Sequence, residues 1–481
     1  MRPGRFAADE EGFPAVPTRE LEMKPMTLLN IIRRQGEVGK RVWWWSQNNG
    51  IKTAQPRPPV GALLQMVLTV VLLMPSLLIV LHAENWPEFR GPTGQGHSRE
   101  RGLPLTWSET ENVRWKIPIT GKGWSSPVIL GDRIWLTTAM ENGRSLRAIC
   151  LDRRTGHVLH HVEVFRLADP GPIHEKNSHA SPTPILAEDR VYLHFGSHGT
   201  ACITSSGEIV WKTQDLKYYH RHGPGGSPVL LGDLLIISCD GYDIQYVVAL
   251  DKRTGRIRWK SPRKGYQAYT TPLIVQVDGK DQVVSPGAHR AISYDPWTGK
   301  EIWWIRYGNG YSNVPRPVYG QGLVFICSGF DQPELLAIRP DGQGDVTETQ
   351  VAWSIKRGIP LTPSPLLVGE ELYIVSDNGI ASCLDAKTGQ KHWQERLGGN
   401  YSASPIYADG RIYFLNEDGE SVVIEPAKEF KKLASNAIDG YTLASMAVSG
   451  GAIFIRSASH LYCLQLSAEL KMRKTRIDCG D

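Results

Sequence analysis

Eight side chains in this 481-residue chain have the chemistry and the setting to hold a ligand: His179, His222, Tyr269, Arg290, Tyr311, Arg316, Asp377 and Tyr401. Most lie in loop-like stretches rich in Gly, Ser, Asn and aromatics: IHEKNSHAS (173–181), YYHRHGPGGS (218–227), GYQAYTT (265–271), YGNGYSNVPR (307–316) and GGNYSAS (398–404). Arg290 and Arg316 suit an anionic group, and the tyrosines offer flat faces to a sugar or a peptide. Six histidines (His174, His179, His194, His198, His220, His222) fall within 49 residues. Imidazole binds zinc or copper, so His220 and His222 with His179 or His198 make a conceivable metal set. No carboxylate stands at a diagnostic spacing, however. The expectation is ordinary loop hydrogen bonding and no metal. The seven cysteines include no adjacent pair and no Cys-x-x-Cys. No phosphate-cradling Gly-rich loop, His-Glu-x-x-His or Gly-x-Ser-x-Gly element supports a transferase or hydrolase.

What must position these loops is a repeat. A small residue followed by Pro recurs at Ser126-Pro127, Thr183-Pro184, Ser227-Pro228, Thr271-Pro272, Ser364-Pro365 and Ser404-Pro405, with Arg316-Pro317 and Ser445-Met446 as variants. The intervals are 57, 44, 44, 45, 48, 40 and 41 residues, the length of a four-stranded propeller blade. Each copy reads as strand, tight turn, strand, polar loop, third strand, Asp-x-x-Thr-Gly turn, fourth strand. The turn keeps phase with a tryptophan three times: Thr254-Gly255 with Trp259, Thr298-Gly299 with Trp303, Thr388-Gly389 with Trp393. Cys150, Cys202, Cys383 and Cys463 occupy one repeat position that elsewhere holds Ala249 or Ser293, so it reads as a small buried packing site without disulfides.

The ends close the arithmetic. Asn112-Val-Arg-Trp115-Lys116 has a fourth-strand ending with no strands before it, and the last copy supplies only three. The N-terminal strand should therefore complete the last blade and hide its edge. The fold expected is all-β, an eight-bladed β-propeller over 115–466. In such a ring the fourth-to-first and second-to-third loops share one rim. That rim holds the eight candidates and the polar clusters Cys239-Asp240-Gly241, His289-Arg290, Asp331, Asp377-Asn378 and Asn416-Glu417. Long polar–aromatic loops are where binding concentrates.

Ala249 to Trp259 (Ala-x-Asp-x-x-Thr-Gly-x-x-x-Trp) resembles the tryptophan-docking repeat of quinoproteins, shared with BamB-type propellers. From Asn85 onward the chain is similar to exported bacterial PQQ-binding-like β-propeller repeat proteins. That resemblance implies a binding or scaffold module in the cell envelope, with an envelope protein or a glycan as partner. The alternative it implies is a dehydrogenase using PQQ and calcium. The adjacent-cysteine disulfide of the large quinoprotein dehydrogenases is absent, their Glu–Asn–Asp set has no match, and there is no haem-attaching Cys-x-x-Cys-His.

Before the repeats the composition changes. Ten of the 54 basic and six of the 49 acidic residues precede residue 60, which leaves 44 against 43. That balance carries no footprint for nucleic acid. Residues 60–83 hold no charge and follow a basic flank, as a signal peptide or a signal-anchor helix would. The expected layout is a disordered cytoplasmic leader at 1–59, an export segment at 60–83 that anchors to the inner membrane if uncleaved, a segment packing on the propeller at 84–114, and a tail at 467–481. The propeller is then periplasmic, or at least outside the cytoplasm.

Overall fold

A computed structural model describes residues 83–467. The leader expected at 1–59, the hydrophobic segment at 60–83 except Ala83, and the tail beyond Ser467 lie outside the described residues. Among those described, no helix is long and apolar enough to cross a membrane.

Short β-strands follow one another almost without interruption, and each set of four pairs antiparallel into one sheet. Seven blades run in chain order, starting with the strands Val128–Leu130, Ile185–Ala187, Val229–Leu231, Leu273–Val277, Val318–Gly320, Leu366–Val368 and Ile406–Ala408. The eighth starts at Ala447–Ser449 and takes its outer strand, Val113–Pro118, from the far end of the propeller. Trp115 there stands opposite Cys463. Blade 4 gains a fifth strand, Gly344–Asp345, parallel to its outer strand.

The repeat's chemistry explains the blade. In the turn after the third strand, Asp385 Oδ1 accepts hydrogen bonds from the Lys387 and Thr388 amides and the Thr388 hydroxyl. Asp152, Asp251 and Asp295 do the same in their own turns. The fifth residue must be Gly: Gly255 has φ +72°, and a Cβ there would lie 2.5 Å from the Trp211 ring of the preceding blade. The tryptophan indole then donates to the turn of the next blade. Trp211 reaches Lys252 O (2.9 Å), Trp259 reaches Pro296 O (2.7 Å), Trp353 reaches Ala386 O (3.0 Å) and Trp393 reaches Ala427 O (3.0 Å). Trp303 is as buried but donates to Gln282 of its own blade, because the next blade replaces the Thr-Gly turn with a longer excursion.

The cysteine position is packed for the same reason. Cys202 and Cys383 pair with Trp211 and Trp393 on one side and with Tyr192 and Tyr373 on the other. The flanking rings meet over it, with centroids 6.3 and 6.0 Å apart, so only a small side chain fits between them. Blade 7 lacks this tryptophan. Trp107, from the segment before the ring, stacks on Tyr413 at 6.3 Å and is held by Asn436 through its backbone amide.

The residue before each Pro knits neighbouring blades around the channel. The amides of Ser126, Thr183, Ser227, Arg316, Ser364 and Ser404 each donate to the hydroxyl at the equivalent position of the next blade, at 2.9–3.0 Å. Residues 85–99 lie across the channel from the side of the two-residue turns. They bond Ile129 and Leu186 of blades 1 and 2, then Arg316 and Tyr319 of blade 5, Leu367 of blade 6 and Tyr407 of blade 7. This crossing segment plugs one mouth of the channel.

Candidate functional site

With one mouth plugged, the opposite rim is the accessible face, and it carries the long loops. The structure distributes seven of the eight candidate residues around that rim instead of gathering them at one point, and turns the eighth, Arg316, into the channel. His222 and Tyr269 stack at 6.0 Å, with His174 at 5.7 Å from His222. Tyr311 lies nearby through Tyr266, at 5.7 Å. His179 is buried against His198, with ring centres 5.5 Å apart. Asp377 and Tyr401 form a separate pair: Asp377 Oδ2 caps the Leu361 and Thr362 amides, and its backbone carbonyl accepts from Tyr401 N at 2.9 Å. Tyr401 itself is fully buried. Arg290 turns toward the outer strand, its guanidinium 4.2 Å from the centre of the Trp304 ring.

Arg316 is not on the rim surface. Its side chain is 2% exposed and points into the channel, bonding Pro272 O at 3.1 Å, Glu88 Oε2 at 2.9 Å and Phe89 O at 2.6 Å. The sequence placed Arg316 at the end of a rim loop; it could not show that residues 85–99 return to meet it.

The histidines between blades 1 and 3 form a buried group. His198 lies 4.8 Å from His220, which lies 5.8 Å from Tyr218, and His194 Nε2 is 3.2 Å from the Tyr218 hydroxyl. Burial, with neighbouring imidazoles, pulls His194 and His198 down to about 3 and His220 to about 4. All three are therefore neutral at neutral pH. Among the described residues, no group of three or more His, Cys, Asp or Glu is arranged to hold a metal ion.

The buried acids already have partners. Asp240 pairs with Arg263 inside blade 3, where the carboxylate raises the arginine's pKa against the cost of burial. Glu417 accepts from Lys176 (2.6 Å), Ser402 (2.6 Å) and Tyr441 (2.9 Å), tying the rim loops of blades 1, 6 and 7 together.

A feature the candidate set touched only at Tyr311 is a run of exposed and half-buried aromatics. Tyr219 and Tyr242 are each 46% exposed. Ring centres step 6.5 Å from Tyr219 to Tyr242, 5.0 Å to Tyr266 and 5.7 Å to Tyr311. Phe330, 41% exposed, pairs through its backbone with Tyr311. Tyr219, Tyr266 and Tyr311 fall inside the rim loops read from sequence, and aromatics in successive rim loops were the available signal.

Residues 99–217 and 243–470 match the family described as outer membrane protein assembly factor BamB. Among curated proteins, BamB of Burkholderia pseudomallei is 29% identical over 115 residues, covering 23% of this chain and 29% of that one. BamB of Legionella pneumophila is 25% identical over 198 residues, 40% of this chain and 48% of that one. The aligned region thus spans less than half the length of either relative. Among solved structures, BamB from Moraxella catarrhalis superposes with TM-score 0.53 at 13% identity, covering 74% of this chain and 98% of that one.

Proposed function

Because this chain belongs to the family of the outer membrane protein assembly factor BamB, we propose that it is a binding and scaffold propeller of the cell envelope, holding a protein partner on its loop-rich rim. The observation that carries this reading is the inequality of the two rims. One mouth is plugged and fringed by saturated turns, while the other presents long loops, exposed aromatics and charged tips. Function resides in sites set on a fold, so the family supports the class of activity and the rim supports the location. Export to the periplasm is part of the same proposal, supported by the relatives and by the uncharged stretch at 60–83.

The dehydrogenase alternative asks for a quinone in the channel, a calcium held by Glu and Asn side chains, and an Asp free to act as base. The side chains present do not fit that demand. Glu88 is paired with Arg316, Asp240 with Arg263, Glu417 with Lys176 and Asp377 with two amides, so each acid already answers a donor.

Site-specific photocrosslinking tests the proposal. A crosslinker at the exposed rim residues Glu175, Asn309 and Asn378 should trap one discrete envelope protein, and the same group at Arg154 or Arg253 on the plugged side should not. Equal trapping from both rims, or none from the loop rim, rejects it.

A further inference from the structure

Among the described residues four arginines are buried: Arg90, Arg263, Arg316 and Arg456. Two have a carboxylate, Arg263 in Asp240 and Arg316 in Glu88. Arg90 has none. It sits in the plug, 1% exposed, where Nη2 donates to Gln95 O at 3.0 Å while Nε and Nη1 find no acceptor. The charged group that acts on it is Arg316, of the same sign. Burial first, and then Arg316, pull its pKa down to about 9, so it is still a cation at neutral pH.

The plug is shaped to put it there. Arg90 has φ +68°, a left-handed conformation that non-glycine residues rarely take, and its carbonyl accepts from Gly96 N at 2.8 Å. A Cβ on Gly96 would lie 2.7 Å from Arg90 Nη2 and 3.1–3.2 Å from Pro405 O and Leu366 Cδ1, at the inner ends of blades 7 and 6. One on Gly94 would overlap the Arg316 guanidinium. Glycine at these two positions lets both guanidiniums lie against the plug's backbone.

The charges do not balance. Arg90 and Arg316 face the single carboxylate of Glu88, and His97, whose Nε2 donates to Leu367 O at 2.7 Å, is held neutral mainly by burial. One positive charge is left over. Water would accept from Nε and Nη1 but leaves that charge uncompensated, which is costly in a buried site. A monovalent anion cancels it and a divalent one overshoots. Arg456 also lacks a carboxylate, but its Nη1 bonds Ser125 O (3.1 Å) and Oγ (2.7 Å), and no second cation acts on it.

We propose that the plug, closed on blades 5 to 7, holds a chloride-sized monovalent anion against Arg90, with Arg316 adding to its field, and that this anion latches the plug in the channel mouth. The site is separate from the loop-rich rim and stands or falls without the protein partner.

The test follows the Tm of the full chain as sodium chloride replaces bulky sodium gluconate at constant ionic strength, and locates bromide by anomalous scattering in crystals of the same protein. Chloride should raise the Tm saturably by a few degrees, and bromide should give a peak against Arg90 Nε or Nη1. R90M should lose the chloride dependence and R456M keep it. E88Q removes the carboxylate that offsets one of the two cations, and should reach half the effect at about tenfold lower chloride. If R90M does not fold, E88Q and the bromide peak decide. A Tm indifferent to chloride, a dependence that survives R90M or vanishes in folded R456M instead, an E88Q midpoint no lower than the parent's, or only water against Arg90 in the bromide crystals each overturns the proposal.

Discussion

Neutral histidines buried between blades 1 and 3 make stability depend on acid. His194, His198 and His220 titrate at about 3–4 in the folded chain, against about 6.5 when unfolded. The unfolded chain therefore binds more protons below pH 6.5, and stability falls as the pH drops from there toward 4. Each histidine contributes a slope of roughly 1.4 kcal/mol per pH unit once it is charged in the unfolded chain. Thermal melts across pH 7 to 4.5 should show a falling Tm, and H198Q should make that fall shallower. An equal slope in H198Q would mean the acid sensitivity lies in other groups. The buried ion pair gives a second residue-scale outcome. E88Q should lower stability by about 3 kcal/mol in chemical denaturation, because it leaves the Arg316 guanidinium without its countercharge. At this scale the sequence was least legible: loop chemistry pointed to the rim, but the contacts of Arg316 and the burial of Tyr401 depend on segments hundreds of residues away or on neighbouring blades.

Blades were readable because their signal is local. The Asp-x-x-Thr-Gly turn and its tryptophan lie within one copy, and the structure places them in one interlock with the next blade. W259A should cost about 3–5 kcal/mol by opening a cavity between blades 3 and 4. Two glycines with the same backbone make a finer test. Gly255 (φ +72°) has Trp211 2.5 Å from its missing Cβ, whereas Gly279 (φ +75°) has nothing within 4 Å. G255A should therefore destabilise clearly more than G279A, whose cost is strain alone, about 1 kcal/mol. Equal losses would show that conformation, and not the fit onto tryptophan, fixes this residue. What the repeat could not show is its own repair: blade 7 takes Trp107 from outside the ring.

Across the whole molecule, the unequal count of strands at the two ends was enough to anticipate closure, since a three-stranded last copy and an orphan first strand have one economical solution. The plug was not legible, because residues 85–99 contain no repeat and meet blades 1, 2, 5, 6 and 7 through backbone and single side chains. Deleting residues 84–118 should remove both devices and turn one cooperative unfolding transition into a broad or stepwise one by calorimetry; a deletion that melts like the intact chain would refute closure as a source of cooperativity. The pairing of Val113–Pro118 with His460–Gln465 also sets an order in time. Synthesis produces one partner before the first blade and the other only after the seventh, so until then the eighth blade has no place to form and Trp115 has no Cys463 beside it. The early blades must wait with an open seam, and closing a loop of that span makes the final step slow relative to blade formation. A nascent chain halted before residue 460 should therefore remain a substrate for proteases at blade 1, and become resistant only when the last strand emerges to meet the first.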